Sequence, residues 1–279
     1  MRRAAENGVW TSLLSVPAAA GLRVAGLEPA GEVMGSMVAQ LSLAGASCGV
    51  YGPGLGGLLG GPGFVATGST GFGAYAEAVN RGYATALARL TREATGIGAD
   101  GVVGIALTTA PIGGGVVEFT ALGTAVRAAG PVRPGRVFTT ALPGQDVAKL
   151  MVAGWMPAAL VLGVAVAVRH DDWQSRQQAS WGAGNTEVAG YTQLLNHTRA
   201  DARARFTSHV RKTGADGAIV SSMALRMWSI EPSENHRDHV AEATVFGTAI
   251  ARFAPTATAT AARSLTILPL QHTQPGSTS

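Results

Sequence analysis

The chain has 279 residues, 47% of them hydrophobic and 14% charged, a balance that allows a large core and excludes wholesale disorder. Its 21 basic and 17 acidic residues give a net charge of +4, all of it arising after residue 130, and so thin a surplus carries no nucleic-acid footprint. The single cysteine, Cys48, makes no internal disulfide; nothing calls for an oxidising compartment, and a cytoplasmic location is expected.

The chain is written twice. Gly98-Ala99-Asp100-Gly101-Val102-Val103-Gly104 returns as Gly214-Ala215-Asp216-Gly217-Ala218-Ile219-Val220, each time between a helical pattern and an apolar run. In chain order, each copy opens with a short strand (Trp10 to Leu14, Val137 to Leu142) and a helical turn or two (Pro17 to Ala25, Gly144 to Ala153). Gly26 and Gly154 stand where a left-handed cap ends a helix, and Pro29 and Pro157 keep it from resuming. A strand follows, Glu32 to Leu43 or Leu160 to Arg169, and in the second copy Val164, Val166 and Val168 alternate with Ala165 and Ala167. That alternation of small residues predicts cover on both faces.

Two stretches imitate membrane signals. Leu150 to Val168 is uncharged and mostly apolar over 19 residues, near the ~20 that a spanning helix needs. Leu22 to Ala30 matches Leu150 to Ala158 at an offset of 128 with six identities in nine, yet carries Arg23 and Glu28. Corresponding segments share an environment, so the second is read as buried in a globular unit. The same offset places Trp10 on Phe138, so the first residues belong to the repeated unit and are not expected to be a removable signal.

After this strand the copies diverge. Residues 45–73 are glycine-rich and hold no Lys or Arg, so the lysine of a phosphate-binding loop is missing. A long helix follows in each copy. Tyr75, Val79, Gly82, Ala86, Leu90 and Ala94 align at an offset of 116 with Tyr191, Leu195, Thr198, Ala202, Phe206 and Val210, which lays one apolar stripe along each helix. The second helix carries Arg199, Arg203, Arg211 and Lys212 away from its stripe, read as a solvated face. Strands from Val102 to Thr108 and from Ala218 to Arg226 come next, and closing strands end in Gly123-Thr124-Ala125 and Gly247-Thr248-Ala249. The connection between these two strands is eight residues longer in the second copy, and it holds Glu234, His236, Asp238 and His239. The tail from Ala254 to Ser279, rich in Thr, Ala, Pro and Ser, is expected to be disordered.

These features resemble the YbjQ-like family, also called the heavy-metal-binding domain family. The resemblance lies in the helix that begins at a Tyr, the Gly-Ala-Asp 23 residues later in both copies, the apolar strand after it and the closing Gly-Thr-Ala. Gly31 to Gly35 echo a glycine-bearing strand of the family, of which the second copy keeps Gly163, and a family Arg is matched by Arg199 and replaced by Tyr83. The resemblance spans residues 10–127 and 137–253. It implies an α+β fold, two tandem copies of a dodecin-subunit-like unit in which a long helix covers one face of an antiparallel sheet. It also implies assembly into rings, typically pentamers.

Three functions from different classes remain open. The expected one is a non-enzymatic, homo-oligomeric assembly module. Five is odd and each chain brings two units, so five chains in two stacked rings is the simplest symmetric arrangement. The second is a metal-binding protein, with His236, Asp238 and His239 as donors for a divalent transition metal such as zinc or nickel. The third, a hydrolase, would need a nucleophile set beside a base, and Ser69, Ser180 and Ser221 have no such setting in sequence.

Overall fold

The computed structural model describes residues 11–41, 65–66, 72–131, 133–233 and 236–253; the glycine-rich loop at 45–73 and the tail from Ala254 lie almost wholly outside them. The first half opens with a short helix. Helix α1 (Val16–Val24) starts where the Ser15 side chain accepts from the Ala18 N–H and has a proline in its first turn, both N-terminal signals. Beyond it run strands β1 (Leu27–Gln40) and β2 (Val65–Ala66), the long helix α2 (Phe72–Gly96), and strands β3 (Gly101–Gly113) and β4 (Val116–Ala128). The second half repeats this series with β5 (Phe138–Thr139), α3 (Gly144–Val152), β6 (Trp155–His170), the added helix α4 (Trp173–Gln178), α5 (Ala189–Thr213), β7 (Gly217–Ser233) and β8 (His236–Arg252).

Two expectations change. Thr11 to Leu14 form no strand; this stretch lies on the first sheet, with the Leu13 N–H donating to Thr124 Oγ1 at 3.2 Å, while its counterpart is a strand of only two residues. The eight extra residues near 231–239 are for the most part not a loop, because β7 and β8 run on as paired strands and lengthen the hairpin.

The fold is α+β, with one sheet ordered β1-β4-β3-β5 and the other β2-β6-β8-β7. The main strands pair antiparallel, and β5 adds in parallel to β3. The sheets exchange margins: β5, from the second half, completes the first sheet, and β2, from the first half, borders the second. Equivalent contacts recur in both halves. Gly98 and Gly214 end the long helices at φ +72, a conformation open to glycine at little cost. A Cβ at Gly35 would run into the Ala86 carbonyl and Leu90 N, and one at Gly163 into the Ala202 carbonyl and Phe206 N; 35 and 163 stand at the offset of 128, the helix positions at 116. Each long helix thus lies against a glycine notch in its own sheet.

The layers alternate as first sheet, α2, second sheet, α5. One face of α2 packs with Val33, Phe119 and Ala121 of the first sheet, while Leu160, Leu162, Val164, Val166 and Val168 of β6 join the same core. The intervening β6 residues Val161 and Ala165 pack with Ala202 and Phe206 of α5. Strand β6 is therefore covered on both faces, as its alternation predicts, and α2 is a helix between two sheets. Among the described residues no helix is long and apolar enough to cross a membrane; the apolar stretch from Leu150 to Val168 is the end of α3, a turn and most of β6.

Candidate functional site

The richest polar cluster lies at the end of the β6–β8 pair, where Arg169 stands opposite His239 and His170 opposite Asp238. The first turn of α5 brings Tyr191 to this end. His239 Nε2 lies 2.8 Å from the Tyr191 hydroxyl and 3.6 Å from Asp171 Oδ1, and the Tyr191 hydroxyl donates to Asp171 across a long 3.5 Å. Arg169 donates to Asp172 Oδ2 and to Gln193 Oε1, both at 2.7 Å. Asp172 also accepts from the Ser175 N–H at 2.7 Å, which caps α4. On the other side of the strand pair, His170 Nδ1 lies 3.2 Å from Asp238 Oδ1.

Burial sets the protonation states. It pushes the His239 pKa down, against the attraction of Asp171, so the imidazole is neutral at neutral pH. It pushes the Tyr191 phenol up, and the Asp171 charge adds to this. Burial would also raise Asp172, but hydrogen bonds from Ser175 and Arg169 outweigh it and hold the carboxyl low. Such a cluster ties a strand end, a loop and two helix starts together through hydrogen bonds.

Asp238 and His239 are neighbours on one strand and so face opposite sides: Asp238 meets His170 and His239 meets Tyr191. The side chain of His236 lies outside the described residues. Among the described residues no three His, Cys, Asp or Glu side chains gather as donors. Of the serines considered, Ser180 donates to the Gln177 carbonyl at 2.7 Å, Ser221 is exposed on β7, and Ser69 lies outside the described residues.

Sequence reading missed the seam between the halves. Arg226 on β7 donates to Glu242 Oε2 at 2.8 Å and to the Tyr75 hydroxyl at 3.1 Å, and its guanidinium lies 5.1 Å from the Trp228 ring centre. Burial, then the Glu242 charge, pushes the Tyr75 pKa up to about 12. Tyr83 sits edge-on to Phe119 of the first sheet and Phe246 of the second, with ring centres 5.1 Å apart in each case. The signal was present at the constant offset of 116: Arg199 and Arg203 of α5 correspond to Tyr83 and Leu87 of α2. The helix that is covered twice carries no cation at these two positions.

A YbjQ-type family with the description "Putative heavy-metal-binding" matches residues 65–129. The encapsulin nanocompartment protein of Mycobacterium tuberculosis is 34% identical over 190 residues, which cover 64% of this chain and 69% of that protein.

Proposed function

Because the chain belongs to the YbjQ-like family, we propose that it is a non-enzymatic assembly protein of the cytoplasm whose units pack against further copies of the chain. One observation carries this reading: unit already packs on unit within the chain, α2 being covered by both sheets, while the equivalent face of α5 bears the exposed Arg199 and Arg203. The name of the M. tuberculosis relative, a nanocompartment protein, supports the same reading. The polar cluster offers little to an enzyme, since its acids, imidazole and phenol are spent on one another. Light scattering coupled to gel filtration tests the proposal. A mass of several chains is expected, five by the family resemblance, and a mass near the 28.3 kDa of one chain overturns it.

A second reading is metal binding, with His236, Asp238 and His239 as donors. The description of the matching family, "Putative heavy-metal-binding", supports it, and because Asp238 and His239 face opposite sides of β8 a single ion would take only one of the two. Calorimetry with zinc on the native chain and on a His236→Ala, His239→Ala variant decides it. Heat lost in the variant supports the site, and equal heats remove it.

A further inference from the structure

Resting on the assembly reading, we infer that the outer face of α5 docks on the back of the first sheet of a second copy of this chain, repeating between chains the contact that α2 makes with the second sheet. The four layers leave two open ends, a helix face at one and a sheet back at the other. Inside the chain these same two kinds of surface meet. Tyr83 of α2 packs on Phe246, and the back row of β8 is Glu242, Thr244, Phe246 and Thr248.

The first sheet carries that row again. At an offset of 124, β4 has Glu118, Thr120, Leu122 and Thr124, identical at three of the four positions. In register beside them stand Val38, Ser36, Met34 and Glu32 of β1. Met34 and Val38 are 52% and 54% exposed, large apolar side chains on a face that the α1 and α3 end of the chain leaves open. Their counterparts in the second sheet, Leu162 and Val166, are buried in the core shared with α2. A surface that keeps the helix-receiving row yet receives no helix from its own chain is an unfilled copy of a known interface.

The differences between the two interfaces are complementary in charge. On the helix, Tyr83 and Leu87 become Arg199 and Arg203; on the sheet, Leu160 becomes Glu32 while Glu118 stays. Both arginines are exposed, as is Glu32, and Glu118 is half-buried. Arg199 makes a hydrogen bond to Asn196 at 3.2 Å, which keeps it on its own helix face. Equivalence with Tyr83 on Phe246 sets Arg199 over Leu122, in the row that ends at Glu118. The contact inside the chain, apolar at Tyr83 and Phe246, is thus matched at those positions by a charged one between chains, a means of choosing a partner as well as holding it. The contact is head-to-tail, so it closes into a ring or runs on as a filament. In a ring the two units of a chain are successive members, in place of one layer each, and the number of units is even; five chains would close ten units.

Charge reversal on the full chain tests this, with mass read by light scattering. Arg199→Glu with Arg203→Glu, and separately Glu32→Arg with Glu118→Arg, are each expected to drop the mass to one chain. Combining all four changes in one chain is expected to restore the native mass, whereas a mixture of the two variants, which can only alternate, is expected to build assemblies with an even number of chains. If either pair leaves the mass unchanged in a native protein that assembles, the interface is overturned and the assembly reading survives. Loss without recovery in the four-fold variant also overturns it, since the loss then reflects damage to the fold. A native mass of one chain removes both.

Discussion

The two long helices have the same length, 25 residues, the same stripe and the same glycine notch, yet different surroundings. Helix α2 has a sheet on either side, whereas α5 has a sheet on one side and exposed arginines on the other. The stripe sets how each helix meets its own sheet, save that its first residue in α2, Tyr75, reaches Arg226 of the second sheet. Beyond that contact, the far side differs at two positions, Tyr83 and Leu87 in one copy and Arg199 and Arg203 in the other. Duplication supplied two equal units, and a few changes away from the stripe made one an inside layer and the other an end.

The comparison is tested most severely at the notches. A methyl group at Gly35 or Gly163 meets helix backbone, so the helix must retreat. In the single chain α5 retreats toward solvent, but α2 is pushed into the second sheet. Gly35→Ala is expected to cost about 3 kcal/mol and Gly163→Ala about 1 kcal/mol, within the range for overpacking, as measured by urea unfolding at high dilution. Equal costs would mean that α2 is not held from both sides.

Of similar size is the effect expected at the aromatic bridge. Tyr83→Ala removes a side chain wedged between Phe119 and Phe246 and is expected to cost about 3 kcal/mol. It should also split one unfolding transition into two as the sheets uncouple, which fluorescence and circular dichroism would follow. A single unshifted transition would show that the seam does not couple the halves.

The smallest effect is confined to the second half. His239 has a folded pKa below its ordinary value because it is buried. Between that depressed value and about pH 6.5, the unfolded chain binds a proton that the folded chain refuses, so stability falls as the pH drops through this window and is complete above it. His239→Phe is expected to flatten this slope in thermal melts taken from pH 7 to pH 5. An unchanged slope would place the titrating group elsewhere.

Much of this architecture was legible because period and offset are local signals. The stripes from Tyr75 and Tyr191, the caps at Gly98 and Gly214 and the order of the strands needed only neighbours in the chain. The valine and alanine alternation in β6 announced two covered faces but not which elements cover them, since that depends on α2, some eighty residues earlier. The polar cluster was legible only in fragments. Proximity in the chain grouped Asp238 with His239, whereas the pleat turns them apart; Asp171, Tyr191 and His239 meet through strand register and the start of α5, which no spacing in the chain reveals. Strand β2 is two residues inside a glycine-rich stretch, and its partner on β6 gives no local sign of it.

The margin exchange has a consequence for synthesis. The first sheet is finished by Phe138 and Thr139, and the Phe138 ring fills the space where a Cβ at Gly101 would stand. A nascent chain that has emerged only through β4 therefore lacks the segment that bonds to the start of β3, and leaves there an open edge of the kind that recruits foreign strands. Domains commonly fold in the order in which they leave the ribosome, but here the earlier half waits for the opening of the later one. A stop placed between the halves would release a fragment with the start of β3 unsealed, and such a product is expected to aggregate in place of forming a working half-molecule.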